Sequence, residues 1–246
     1  MPIKVSYIKI KNAEVSFTEA FAKELDSLLS NETAFEIPLF GGLAVHSSIV
    51  VTWVIMAVLT LAAFILTRNL QLVPAGKRQL AAEGIVSFIN NLIGGLVGSG
   101  GKAYIPFIGT VLLYLACTNT IGIIGITPPT KDLNVTCALA LMSIALIEIS
   151  GIRARGVGGW LKSFTEPLSF MVFLNVMEIA LRPLSLCLRL FGNILGGFII
   201  MELVKFEAPL LLPIPLSLYF DIFDGLIQAY VFVLLTSLFT SESIGD

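Results

Sequence analysis

Residues 178–196 carry Glu178, Arg182, Ser185, Arg189, Asn193 and Gly196 at spacings of three and four. On a helix turning about 100° per residue they fall in one stripe roughly 80° wide, bordered by Gly192. A second stripe, Ser217, Asp221, Asp224, Gly225 and Gln228, spans roughly 100° on the same construction. The residues around both are largely apolar. Arginine keeps its proton at any ordinary pH, so Arg189 can act as a fixed positive charge but cannot relay a proton. Asp221, Asp224, Glu178 and a further acid, Glu148, can take up and release protons. The chemistry on offer is the handling of small ions beside a permanent cation.

The elements that must hold these groups are membrane helices. The chain has 246 residues, 56% hydrophobic and only 13% charged. A soluble domain carries about 25% charged residues, so this chain lacks the polar surface to stay in water. Ser48–Thr67 and Ala103–Ile126 contain no charge at all. Each is about as long as the ~20 apolar residues that cross a bilayer. In such surroundings a central arginine facing lipid costs ~2.5–3.5 kcal/mol on insertion scales. The stripes must therefore face water or a partner. A net charge of −2 does not suggest nucleic-acid binding, and no nucleic acid is expected as a partner.

Periodicity predicts an all-α integral membrane protein, with about five membrane helices plus amphipathic helices. Residues 1–45 read as an extramembrane segment, and 46–246 as a single membrane domain. Within the first segment, Ser16 and Glu19 sit at capping-box spacing, and Phe17, Phe21, Leu25 and Leu28 follow at helical intervals. Nothing in 1–40 has the pattern of a cleaved signal peptide. The first span covers about 46–67. Residues 77–97 read as an interfacial helix or hairpin rather than a crossing. The second span runs about 104–126, "TPPTKDLN" is a turn, and the third span covers about 133–151. "GIRARGVGGWLKS" reads as a basic, glycine-rich loop. Two long helices, about 167–201 and 209–240, complete the chain, with "EAP" between them. No repeat relates the two halves.

Orientation follows from the basic loops. Arg68, Lys77 and Arg78 lie together without an acid, as do Arg153, Arg155 and Lys162. Five crossings with these loops inside place the N-terminus outside and the C-terminus in the cytoplasm. Asp221 and Asp224 then occupy the outer half of the last helix, and Glu178 the inner half of the preceding one. Arg189 and Gln228 lie between. This arrangement reads as two half-paths divided by a fixed charge. A second reading of Glu178 stays open, since Glu178 and Arg182 are four apart in the favourable order for an ion pair. Arg182 could also snorkel to the interface.

At "SLCLRLFGNILGG" and "FDGLIQAYVFVLLT" the sequence closely resembles subunit a of rotary F-type ATP synthases. "PPTKDLNVT" and "GIRARGVGGWLKSF" support the likeness, which covers most of the chain from about residue 35. The resemblance implies that the last two helices form a long, tilted hairpin against a ring of c subunits. It implies that Arg189 faces the ring carboxylate, and that Asn193 and Gln228 line the ion path near it. It also implies peripheral-stalk b subunits and the rest of the complex as partners, in the inner (plasma) membrane of the cell. Two positions depart from the family pattern. Phe198 stands where many members carry an acid, and Asp221 stands where many carry histidine or another polar group. Outer-path duties then fall to Asp221 and Asp224. Glu178 matches a position near the inner half-path that is serine in some members, and Glu148 is a further candidate for the path.

The function expected is an ion-translocating stator subunit with two offset half-channels for H+ or Na+. The rival is a self-contained ion-coupled secondary transporter, which would often show internal repeats. An enzyme is not expected. No GxxxxGK[ST] loop is present to hold a nucleotide, and His46 is the only histidine, which rules out a His-based metal pair. Cys117, Cys137 and Cys187 have no CxxC spacing and read as small buried hydrophobes. No metal and no cofactor are expected, the transported ion apart.

Overall fold

A computed structural model of the chain describes residues 33–37, 43–71, 76–163, 172–207 and 213–245. The amphipathic helix expected around 16–28 lies outside the described residues. The first element is one the periodicity did not predict. Strands β1 (Thr33–Ile37) and β2 (Leu43–His46) pair antiparallel, with Phe35 opposite Val45 and Ile37 opposite Leu43. Strands of five and four residues are too short to leave a firm pattern. A lone two-stranded hairpin is also marginal in isolation. This one runs straight into the first helix, whose N-cap is His46.

The other described elements are helical. They are α1 (Ser47–Thr67), α2 (Lys77–Val97), α3 (Ile105–Thr120), α4 (Leu133–Ser163), α5 (Val172–Glu207) and α6 (Pro213–Ile244). Short 3-10 turns flank α3, at Lys102–Tyr104 and Ile121–Ile124, and a third at Pro129–Lys131 leads into α4. Six helical segments are long and apolar enough to cross a membrane, against the five expected. The additional one is α2. It continues unbroken through Gly84, Gly94 and Gly95, which excludes a hairpin there. It buries Ile89, Ile93 and Val97 along α3 and α6. It is also the least apolar of the six, with a mean hydropathy of 1.5.

The basic stretch after the third span is helical rather than a loop. α4 runs to Ser163 and departs from helical angles only at Gly156, where φ is +72°. That left-handed conformation suits glycine, so the break falls there. Gly158 and Gly159 stay helical despite a penalty of about 1 kcal/mol each relative to alanine. Arg155 helps to hold this part in place, donating from Nη2 to the Glu242 carbonyl at 2.8 Å.

The core lies where α2, α3 and α5 pack with α4 and α6. Ile93, Val97, Ile108, Leu115, Leu186, Leu190 and Val233 are almost wholly buried there. α5 lies mainly along α4, and α6 along α3 and α4. Lipid tails are as apolar as leucine, so burial alone does not drive membrane helices together; close packing and hydrogen bonds do. Gly225 allows such an approach. A methyl group at Gly225 would lie 3.1 Å from Cβ of Asn119. Asn119 Nδ2 then donates to the Gly225 carbonyl at 3.0 Å, and Thr130 Oγ1 donates to Asn119 Oδ1 at 3.0 Å. Threonines inside the helices return their hydroxyls to the carbonyl four residues back, as at Thr118, Thr236 and Thr240. That contact satisfies a polar group where no water reaches.

α1 is the least enclosed helix. Trp53, Val58, Leu61 and Phe64 are exposed, as lipid-facing residues should be. At its start, Ser48 Oγ donates to Asp132 Oδ2 at 2.7 Å, which ties α1 to the turn before α4.

Candidate functional site

α5 sorts its side chains by face. Leu186, Cys187, Leu190, Ile194 and Met201 point into the bundle. Ser185, Arg189, Gly192 and Asn193 are exposed, flanked by Leu184 and Leu188. The polar stripe is thus an outward face. Among the described residues, no carboxylate lies within ion-pair distance of Arg189.

Beyond Arg189 toward the end of α5 lies a cavity of about 150 Å³ lined by both polar and apolar groups. It is large enough to hold several waters. Asn193, Gly197, Phe198 and Glu202 of α5 form one wall, and Asp221 and Asp224 of α6 form another. Asn119 and Gly122 close it from α3 and its 3-10 extension. Arg189, Asn193 and Gly197 follow at steps of four, so each is rotated about 40° from the last. This row winds from the exposed face into the cavity wall, with Asn193 as its middle member.

Asp221 and Asp224 sit in a π-helical turn, Leu218–Asp224, within α6. Such turns gather at functional sites, and they advance fewer degrees per residue than an α-helix. Asp221 and Asp224 line the cavity, whereas Gln228 is buried farther along α6 and does not line it. Asp221, Asp224, Gly225 and Gln228 are nonetheless all less exposed than Phe223, Leu226, Ile227 and Tyr230, so the acids and the amide share one side of α6. Gly122 makes room for the acid, since a methyl group there would collide with the Asp221 carboxylate. The Lys131 ammonium lies 4.3 Å from the centre of the Phe198 ring, a cation–π contact at the edge of the same region.

The opposite end of α5 holds a different cluster. Arg182 Nη2 reaches Glu178 Oε1 at 2.9 Å and Glu242 Oε2 at 3.0 Å. Its guanidinium carbon also stands 4.6 Å from the centre of the Phe239 ring. The expected pair between Glu178 and Arg182 therefore forms, and it extends to α6. Arg182 is 14% exposed, while both acids are more than half exposed. Glu148 belongs to neither cluster. It is half-buried on α4 and accepts a hydrogen bond from Trp160 Nε1 at 2.8 Å.

The structure thus brings Asn193, Asp221 and Asp224 together and keeps Glu178 and Glu148 away from them. It also supplies cavity residues absent from the sequence-based set: Asn119, Gly122, Glu202 and Lys205. Glu202 and Lys205 were hidden because α5 was expected to end near 201, which left them among loop charges. Asn119 gave no signal beyond being one polar residue in an apolar span. The cysteines differ from expectation as well. Cys187 is buried, but Cys137 is half-buried, Cys117 is exposed, and the Sγ atoms of Cys137 and Cys187 are 2.9 Å apart.

Comparison with known proteins gives one consistent result. The family described as ATP synthase A chain matches residues 49–241. ATP synthase subunit a of Moorella thermoacetica is 37% identical over 202 residues, covering 82% of this chain and 92% of the relative. ATP synthase subunit a 2 of a Bradyrhizobium species is 38% identical over 207 residues, covering 84% and 92%. The subunit a of Propionigenium modestum described as sodium ion specific is 34% identical over 221 residues, covering 83% and 76%. Six apolar helices and relatives matched over most of their length make this a multi-pass membrane protein of the ATP synthase A chain family, a membrane-sector subunit of the complex and not its catalytic one.

Proposed function

We propose that the chain carries ions to and from carboxylates on a ring of c subunits by way of two offset half-paths separated by Arg189. The observation that carries this reading is the row Arg189, Asn193, Gly197, which joins an exposed fixed cation to a cavity holding Asp221 and Asp224. A ring carboxylate that faces lipid must be neutral, protonated or holding a sodium ion, because a bare charge there is expensive. Near Arg189 it can ionise. At ~4 Å and an effective dielectric of ~20 the gross attraction is about 4 kcal/mol. That favours release of the bound ion and still lets the carboxylate move on.

In this reading an ion enters through the cavity, loads a ring subunit and travels with the ring through almost a full turn. It leaves at the other end of α5, near Glu178. Membrane potential drives each charge with ~2.3 kcal/mol per 100 mV. Glu148 and Gln228 act beside these paths rather than within the cavity. Orientation follows the basic loops: α2 lies along the inner surface, the chain crosses five times, and the C-terminus is cytoplasmic. The membrane is the cell's inner (plasma) membrane. The partners are the c-ring, the b subunits of the peripheral stalk and surrounding lipid, and no cofactor takes part.

The ion is H+ or Na+. The name of the Propionigenium modestum relative concerns that protein, and the ion site here belongs mainly to the ring. The dependence of ATP hydrolysis by the purified complex on sodium, against pH alone, decides between them. A self-contained transporter fits less well, because no repeat relates the two halves of the chain. Placement of Arg189 in the assembled complex tests the proposal: it stands against a ring carboxylate if the reading is right, and against lipid or an internal acid if it is wrong.

A further inference from the structure

The cavity wall contains an acid that the path described above does not use. Glu202 lies nine residues beyond Asn193 on α5, about 13 Å farther along the helix. It therefore stands at the far end of the cavity from Arg189. Its side chain is only 21% exposed, and Lys205 Nζ holds Oε1 at 2.7 Å. Lys205, at 51% exposed, faces outward. Both line the same cavity as Asp221 and Asp224. The wall thus combines three carboxyl groups with one ammonium, and Lys205 is the more exposed member of its pair with Glu202.

Clefts lined by one sign of charge concentrate the opposite ion, and rings of acidic side chains select cations in pores. A shielded carboxylate at the end of a membrane helix is unfavourable unless it is paired or serves an ion path. Glu202 is paired, and its partner is the more mobile, water-facing side chain. We infer that Glu202 is the inlet of the outer half-path: it receives the cation from outside water and passes it inward to Asp221 and Asp224. Lys205 supplies the counter-charge that keeps three acids from trapping the ion. The inference rests on the outer half-path proposed above.

The test uses the whole complex in sealed vesicles, with ATP synthesis followed as the ion concentration on the outer side is varied. Glu202→Gln raises the apparent KM for the outer ion at least fivefold and keeps most of the maximal rate, and Glu202→Asp restores most of the loss. Glu202→Cys is modified by a membrane-impermeant thiosulfonate from the outer side only. A sulfonate-bearing reagent restores the concentration dependence, and a trimethylammonium-bearing one does not. The parent chain, with its three native cysteines, serves as the labelling control. An unchanged KM in Glu202→Gln marks an ordinary solvated pair and overturns the inference. So does a lower maximal rate at unchanged KM, which marks a structural role. Two companion variants separate this failure from failure of the underlying reading. If Asp221→Asn impairs loading while Glu202→Gln does not, only the inlet is wrong. If Arg189→Ala remains fully coupled, the half-path reading itself falls.

Discussion

Arg189 and Asn193 are one turn apart on the exposed face of α5, and Asn193 also lines the cavity that holds Asp221 and Asp224. In the proposed function this step links the acids of α6 to the face that meets the ring. It needs no moving part in this chain. The helix delivers a fixed charge and a polar amide about 6 Å apart along its axis, and the traffic is left to ions and to the partner's carboxylates.

Gly122 is predicted to be as important as the acid it faces. A methyl group in Gly122→Ala meets the Asp221 carboxylate. The carboxylate is the free end of a side chain beside a cavity, so it turns out of its seat. Gly122→Ala should lower ion-driven ATP synthesis to near the level of Asp221→Asn in the same vesicles. Wild-type rates in Gly122→Ala alongside a defective Asp221→Asn would mean that the carboxylate works from another position.

Glu178 and Glu242 share Arg182 but should differ in function. Both acids are mostly exposed, so loss of either pair costs little stability. In the proposed function the inner half-path runs by Glu178, on the same helix as Arg189. Glu178→Gln should slow ATP-driven ion pumping severalfold, and Glu242→Gln should leave it within twofold of the parent. Equal, small effects would reduce Glu178 to a partner of Arg182.

Cys137 and Cys187 should close to a disulfide under mild oxidation. Their sulfurs are already nearer than two unbonded sulfurs rest, at 2.9 Å, and they join α4 to α5 two residues before Arg189. A membrane-permeant diazene such as diamide would take two electrons and two protons from the thiol pair and become the hydrazine. Titration of free thiols in the denatured chain should fall from three to one, and mass spectrometry should find the linked peptides. Three free thiols after treatment would place the two helices farther apart.

Much of this was legible in the sequence because membrane helices write themselves plainly. Uncharged runs marked α1 and α3, and a polar stripe in an apolar helix singled out Arg189, Asn193, Asp221 and Asp224. Three things were hidden. The β1–β2 hairpin is too short for periodicity to register. The basic stretch after Gly151 reads as a loop by glycine count, yet only Gly156 leaves the helix. The π turn at Leu218–Asp224 lies within the last helix, and no residue type announces it. Cavity partners such as Asn119 come from a distant helix, and only the tertiary fold brings them in.

The charge of Arg189 is the point on which everything turns. The direct measurement is ATP synthesis by energised vesicles that carry the assembled complex with Arg189→Ala, with assembly verified by subunit content. The account predicts complete loss of coupled synthesis in an otherwise intact complex. Synthesis at the parent rate would contradict it.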